Sequence, residues 1–378
     1  MVDNCTIIKY QDAWNFKRVP ARPVDLRIDY CGGMKFNDNF DWNNLWYDAV
    51  QVNNNTMVLL IGPPLYATAQ WLASNARFQD PQGNILQFKT IELDRVCYTA
   101  LPVNGYIDWI ELITNNTHSR INVNRNNGLL NNKSVMVTLQ KNNPVSWIQQ
   151  WIKYHKDTLD VDAFLIYDNA STIYNTKQLE KSLKDLGVVV TVVNWPFPYG
   201  PQGSDFAPWD SDYGQYVMLE HAKIRYLNQA SIVLNNDIDE LIVPKGITLK
   251  DITEFLKNNS VQCLRYRGVW IEPYDIVNSQ SADQIPFDQR HVKNYYCSDP
   301  NNKIGIGYKW MLVPGKVNLN QQWLVHHING QSIENDQLQY CHYLSHNTNW
   351  SWRRDQYSGD PKNLIPNTGL LHNLKKME

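Results

Sequence analysis

Three acids close one apolar run in this chain: Ile232, Val233 and Leu234 lead through Asn235 and Asn236 into Asp237, Asp239 and Glu240. Carboxylates spaced Asp-x-Asp at the end of a buried strand suit a hard divalent cation such as Mn²⁺ or Mg²⁺. Such ions take oxygen ligands and keep positions open for water and substrate phosphates. The chemistry implied is metal-assisted handling of a diphosphate-bearing donor. The same spacing recurs at Asp160 and Asp162 and at Asp210 and Asp212. Only Asp237 and Asp239 follow a run that reads as a buried parallel strand, and ligands gather beyond the carboxyl ends of such strands.

The elements that must position these acids are legible upstream. A strand is expected over residues 134–139, and Pro144 then opens a helix at its favoured first position. That helix carries Trp147, Ile148, Trp151, Ile152 and His155 on a single stripe. A strand over 163–167 ends in Asp168 and Asn169, a helix over about 176–186 stops at Gly187, and a strand over 188–193 ends at Asn194. A longer helix, roughly 213–229, leads to the strand that delivers Asp237. This alternation predicts a parallel sheet with right-handed crossovers, with Asp168, Asn194 and Asp237 converging on one crevice. Gln140-Lys-Asn-Asn143 stands where a glycine-rich phosphate loop would be, which argues against NAD enzymes and kinases.

Before residue 130 the pattern differs. Short alternating segments at 25–29, 57–61, 85–91 and 106–113 are separated by Gly, Pro and Asn, as in an antiparallel β-sandwich. The polar stretch 124–133 marks the expected boundary, giving a β-rich domain over 1–130, expected by analogy to bind carbohydrate, and an α/β domain over 131–378. A formal net charge of −2 offers no basic field for nucleic acid or an anionic membrane. No stretch approaches ~20 apolar residues and no secretory leader opens the chain, so a soluble, cytoplasmic protein, at most peripheral at the inner face of a membrane, is expected. The six cysteines form no CxxC pair, which removes zinc-site spacing and fits a reducing compartment.

With these residues in view, a family resemblance can be stated. Asn142-Asn143, the helix segment ending Trp151-Ile-Lys-Tyr154-His155, the strand end Tyr167-Asp-Asn-Ala-Ser171 and Asp237-Ile-Asp-Glu240 resemble glycosyltransferase family 92. So do Lys309-Trp-Met-Leu-Val-Pro314, His326-His327, His342-Tyr343 and Trp350-Ser-Trp-Arg-Arg354. Asn143 stands where the family usually has Glu, and Ile173-Tyr174 where an Asp often follows the Ser. The resemblance implies a GT-A fold, a Rossmann-like mixed sheet, and inverting, metal-dependent transfer of a hexose from a UDP-sugar, galactose being the commonest donor. It further implies that Asp239 binds the metal, Asp237 contacts the metal through water or the ribose, and His342 completes the coordination. Asp168 would read the uridine, with Asn169, Asn194 and Lys309 beside the donor.

A general base must deprotonate the acceptor hydroxyl, and Glu272 and Asp275 are the candidates, with turn capping the alternative for both. Trp270 and Tyr274 could stack on the acceptor, or pack in the core. His326 and His327, read as adjacent strand residues, should point one inward and one outward. Arg353 and Arg354 could hold diphosphate oxygens or form surface ion pairs, and His221 and His291 read as structural or exposed histidines. The leading expectation is a glycosyltransferase acting on a glycan or lipid-linked saccharide in surface polysaccharide synthesis. Two other readings use the same residues: a carbohydrate-binding protein that kept the fold without turnover, and a nucleotide-sugar phosphoesterase.

Overall fold

The computed structural model describes residues 2–4, 8–9, 40–41, 43–52, 55–65, 67–114, 118–200, 214–302, 305–346, 348 and 354–377. The strand expected over 25–29, the pair Asp210 and Asp212, and Arg353 lie outside the described residues. Nine strands form one mixed sheet. They are β1 (Val2–Asn4), β2 (Ser134–Gln140), β3 (Ala163–Asp168), β4 (Val189–Asn194) and β5 (Ile232–Asn235). Then come β6 (Glu240–Pro244), β7 (Cys263–Ile271), β8 (Tyr308–Leu312) and β9 (Ser332–Tyr343). The helices that matter here are α1 (Val145–Leu159), α2 (Thr176–Leu183), α3 (Gly214–Ala222), α4 (Leu249–Asn258) and α5 (Thr368–Lys375).

The order across the sheet is β1-β4-β3-β2-β5-β8-β7-β9-β6. The first five strands are parallel, β8 runs antiparallel to both neighbours, β7 and β9 are parallel, and β6 closes the edge antiparallel to β9. This is the α/β class with the mixed sheet that the sequence predicted. β5 and β6 are joined only by residues 236–239, yet lie four places apart in the sheet. In a flat sheet four spacings are about 19 Å, whereas five extended residues reach about 17 Å at most. The link is shorter still, because the Glu240 N–H donates to the Asp237 carbonyl at 3.1 Å and closes a turn. The sheet therefore has to curl, and the acid turn lies across the curl.

Side chains alternate between the two faces of this sheet, as strand geometry requires. Met136, Phe164 and Ile166 face one way, where Trp147, Trp151 and Ile152 of α1, Leu179 of α2, Ile252 of α4 and Leu370 of α5 cover them. Val135, Val137 and Leu165 face the other way, against α3 and against Tyr47, Leu59 and Ile61 of the N-terminal region. Pro144 is the N-cap of α1, with extended ψ of 138°, and the helix starts one residue later than expected. The helix expected over 213–229 is described from Gly214 and passes into a π-helical turn at Lys223–Leu227.

Two four-stranded antiparallel sheets form the N-terminal sandwich. The inner sheet holds Asp48–Val52, Met57–Gly62, Lys89–Leu93 and Val96–Pro102. The outer sheet holds Arg77–Gln79, Ile85–Leu86, Trp109–Ile113 and His118–Asn122. Leu45, Trp46, Val58, Leu60, Phe78 and Ile110 fill the space between them. The expected strand over 85–91 is split between the two sheets, and a helix, Ala67–Asn75, was not foreseen.

The inner sheet is welded to the rest by buried charge. Asp48 Oδ2 accepts from Arg225 Nη1 at 2.7 Å and from His221 Nε2 at 2.8 Å, and Tyr167 bonds the other ring nitrogen of His221 at 2.8 Å. Tyr98 donates to Glu220, which also accepts from the Trp323 N–H at 2.7 Å and pairs with Lys223 at 2.6 Å. Buried ions cost stability unless each is paired, so deleting one partner leaves the other uncompensated. Asp48→Ala should therefore lower the unfolding free energy by roughly 3–5 kcal/mol in urea denaturation. A loss below about 1 kcal/mol would show that Arg225 and His221 find other partners.

Candidate active site

The acid turn is organised by a buried ammonium. Lys309, on β8, places Nζ 2.7 Å from Asp237 Oδ2 and 3.1 Å from Glu240 Oε2. Glu240 Oε2 also accepts from the Asp237 N–H at 2.9 Å and from the Asn236 amide at 3.2 Å. Tyr266 donates to Oδ1 of Asn236, so both ends of that side-chain amide have partners. Burial opposes ionisation of Asp237, but Lys309 and then His342 outweigh it and hold the carboxyl below its usual range. Burial pushes Glu240 up, with Lys309 working against the shift and Asp237 reinforcing it. Lys309 stays protonated, since the two carboxylates more than offset its desolvation.

Asp239 points the other way. Its Oδ2 lies 3.1 Å from His342 Nε2, while His342 Nδ1 is 3.6 Å from Glu240 Oε1. Register explains the meeting: Glu240, His342 and Trp270 are neighbours on β6, β9 and β7. The Tyr343 N–H donates to the Asp239 carbonyl at 2.8 Å, which ties the turn to β9. Trp270 packs on His342 with ring centroids 4.4 Å apart, and Arg354 lies over Trp270 at 5.1 Å. Two donors on adjacent vertices of a six-coordinate ion with bonds of ~2.1 Å stand about 3 Å apart, so the Asp239 and His342 pair fits one edge of such a site. Among the described residues no three His, Cys, Asp or Glu side chains already converge on one point. Asp237, engaged by Lys309, would reach an ion through water.

The edge strand β6 is held from outside by α1. Tyr154 donates its hydroxyl to the Ile242 carbonyl at 3.0 Å, and His155 Nε2 accepts from the Ile242 N–H at 3.1 Å. His155 Nδ1 bonds the Trp151 carbonyl at 2.9 Å, so the neutral ring donates at Nδ1 and accepts at Nε2. Two side chains thus stand in for a missing neighbour strand, two residues beyond Glu240. His155, read from sequence as part of an apolar stripe, forms a backbone clamp together with Tyr154.

At the other carboxyl ends a polar row forms. Gln140, Asp168 and Asn194 are in register on β2, β3 and β4, with Asn4 of β1 alongside. Continuing the pairing of Val137 with Asn235 puts Asp237 level with Leu139, on the same edge. Asp168 Oδ1 accepts from Ser171 Oγ at 2.6 Å and from the Gln140 amide, while burial pushes its carboxyl up against those bonds. Asn169 donates to the carbonyls of Trp195 and Phe197 at 3.0 and 2.7 Å, which fixes the strand ends. Tyr174 reaches Gln140 Oε1 at 3.0 Å and the Asn143 carbonyl at 2.8 Å. Ala170 adopts φ of 54°, a left-handed conformation unfavourable for alanine, in the loop beside Asp168. Gln140, Ser171 and Tyr174, named in the sequence as motif positions only, were assigned no place in the site.

The two candidate bases differ in kind. Asp275 caps its own turn, accepting from the N–H groups of Val277 and Asn278 at 2.9 and 3.0 Å and from the Asn278 amide at 2.8 Å. Glu272, two residues beyond Trp270, accepts from Asn302 at 2.7 Å, and burial raises its carboxyl, with Asp299 adding to the shift. His326 and His327 do not alternate in and out: both are exposed in a tight turn closed by the Trp323 and Ile328 bridge. His346 is buried against Trp147 at 4.3 Å, away from any pairing with His342. Asp160 ends α1, and Asp162 accepts from Ser134, so that Asp-x-Asp pair is structural.

A model of glycosyltransferase family 92 matches residues 136–367, which include all of this machinery. The chain belongs to glycosyltransferase family 92. The enzyme class read from the sequence is thereby borne out at the level of the family. Among solved structures, the mannosyltransferase Ktr4p from S. cerevisiae is 13% identical, with 41% of this chain and 43% of that chain covered and a TM-score of 0.25. Core-mannan synthase A from Aspergillus fumigatus is 8% identical, with 38% and 45% covered and a TM-score of 0.25. S. aureus TarS 1-349 in complex with UDP is 14% identical, with 56% and 60% covered and a TM-score of 0.31. The chain spans less than two thirds of the length of each of these. No curated protein matches it. No helix among the described residues is long and apolar enough to cross a membrane.

Burial lowers His155 and His346 to about 3. Their folded values lie below the ~6.5 of an unfolded histidine, so the unfolded chain binds more protons between these limits and stability rises with pH there. Each ring should remove about 1 kcal/mol of unfolding free energy between pH 6.5 and 5.5, a loss that Glu240 and His342, both raised in the folded chain, oppose over the same interval. The loss is therefore read as a difference in urea denaturation: His346→Gln should lose about 1 kcal/mol less than the wild-type protein between these pH values, and an identical pH dependence would contradict neutral burial of that ring.

Proposed function

We propose that this protein transfers a hexose, galactose being the leading candidate, from a UDP-sugar to a hydroxyl of a glycan or lipid-linked saccharide, with inversion and with a divalent metal. Residues 131–378 are the catalytic unit in this reading, and the N-terminal region, bonded to it through Asp48, is a supporting lobe. The observation that carries the reading is the pair of Asp239 on the acid turn and His342 on β9, 3.1 Å apart in a family 92 chain. Asp239 and His342 would hold Mn²⁺ or Mg²⁺, and a bound ion supplies charge stabilisation for the departing diphosphate. A membrane-proximal site of surface polysaccharide assembly, on the cytoplasmic side, is part of the same proposal.

The chain's own residues divide the remaining work. Lys309 neutralises Asp237 and Glu240, so the acid turn does not repel a diphosphate as three free carboxylates would. Asp168, with Asn169 and Asn194 behind it, offers a hydrogen-bonding edge for the nucleoside. Glu272, raised by burial, is the base that takes the proton of the acceptor hydroxyl. As that proton leaves, the acceptor oxygen forms its bond to the anomeric carbon and the carbon–oxygen bond to the diphosphate breaks, releasing UDP. Asp275, whose oxygens are spent on its own turn, is assigned to structure.

Calorimetry tests the donor site: UDP should bind with Mn²⁺ but not with a chelator, and Asp239→Ala should abolish the metal-dependent part. UDP binding that ignores both metal and Asp239→Ala would sink the assignment. Glu272→Gln should lower kcat by about 10²–10⁴-fold with the KM for donor unchanged, whereas Asp275→Asn should cost stability and spare turnover. The opposite pattern in steady-state kinetics would move the base to Asp275.

A further inference from the structure

A cleft of about 520 Å³ opens at the seam between the N-terminal lobe and the π-helical turn after α3. That volume lies within the ~300–1,000 Å³ usual for small-ligand sites. Its walls are Gln51, Asn55, Arg125, Asn126, Asn228 and Gln229, with Val52 the apolar contribution. Five carboxamides and one guanidinium meet there, and none of the lining residues is acidic.

The amides are oriented by a chain of hydrogen bonds with only one consistent assignment. The Gly128 N–H is an unambiguous donor and lies 2.8 Å from Asn126 Oδ1, so Asn126 must present its NH₂ elsewhere. That NH₂ donates to Asn228 Oδ1 at 2.7 Å and to Asn131 Oδ1 at 3.2 Å. Asn131 in turn donates to Gln229 Oε1 at 2.7 Å. Both exposed amides of the π-turn therefore have their oxygens bonded to the 126–131 loop, and their NH₂ groups are left for the cleft. Arg125 is fixed as well: Nε donates to Gln51 Oε1 at 3.0 Å, Nη2 to the Ile107 carbonyl, and Nη1 stands 3.5 Å from Asp108. Its guanidinium lies 3.5 Å from the ring centroid of Tyr106, which is 62% exposed and adds a flat aromatic surface at the rim. Side chains held this way are preorganised, so a ligand orders little on binding.

We infer that this seam is a saccharide-binding site, distinct from the acid turn, that holds a neutral oligosaccharide segment through the amides of Asn228 and Gln229 and the ring of Tyr106. Fixed amide donors suit hydroxyl oxygens, and an aromatic face suits the C–H surface of a sugar ring. Arg125 spends Nε and Nη2 on Gln51 and Ile107 and stacks on Tyr106, which leaves the five carboxamides as the main polar lining and favours a neutral ligand. The inference does not rest on the proposed catalysis.

The test is saturation-transfer NMR on the full chain, without metal or UDP, using maltotriose, cellotriose, mannotriose and β-1,4-galactobiose. At least one should show transfer, and its Kd should be unchanged between 0.05 and 0.5 M NaCl. The double variant Asn228→Ala, Gln229→Ala should weaken that ligand at least tenfold, and Tyr106→Ala, at an exposed position, should weaken it independently. Metal-dependent UDP binding, measured separately, should be the same in all three proteins. Transfer to none of the four saccharides, binding that survives both variants, or binding lost with salt would each overturn the inference, whatever the UDP result.

Discussion

The link between β5 and β6 is too short to cross a flat sheet, and most of the site follows from that. Residues 236–239 must carry the chain from the middle of the parallel half to the far edge strand. The sheet curls to allow it, and the chain turns sharply where Asp237, Asp239 and Glu240 fall. Because the chain turns between them, Asp237 meets Lys309 of β8 while Asp239 meets His342 of β9. A flat sheet with a long connection would leave these acids in a solvated loop, free to repel one another and any phosphate.

A link this short needs support at both ends. On the inner side, Lys309 and Glu240 are buried together, and neither could be tolerated alone in that environment. On the outer side, Tyr154 and His155 satisfy both backbone groups of Ile242, so the edge strand cannot slip without leaving a buried N–H and C=O unpaired. The N-terminal lobe adds a third support, because its Asp48 completes the buried set of His221 and Arg225 beneath the opposite sheet face. The geometry of the acid turn is thus secured from three sides.

Much of this could be read from the sequence, and the reasons for success and failure are physical. The parallel half announced itself because each strand is a continuous apolar run that stops at a polar residue, and those stops, Asp168, Asn194 and Asp237, are where the sheet edge lies. Local chemistry also separated the helices, through Gly187 after α2 and the apolar stripe of α1. What stayed hidden depends on partners distant in sequence. Nothing near Tyr154 or His155 says that they will meet Ile242, since the contact exists only once the sheet has curled. The role of Lys309 required the antiparallel placement of β8 beside β5, which no periodicity encodes. His326 and His327 misled because strand alternation was applied to a pair that lies in a turn. Ser171 and Tyr174 stood in or beside a family motif, but that they and Gln140 meet at Asp168 and Asn143 depends on a loop whose constraint, an alanine at positive φ at residue 170, only the fold shows.

The central claim is that the strapped turn leaves Asp239 and His342 as the two protein ligands of a divalent ion while Lys309 keeps Asp237 off it. Pulsed electron paramagnetic resonance of the Mn²⁺ and UDP complex addresses this directly. The account predicts a nitrogen coupling from one imidazole in the wild-type protein, lost in His342→Gln and retained in His326→Gln. Absence of any imidazole coupling, or its persistence in His342→Gln, would contradict the account.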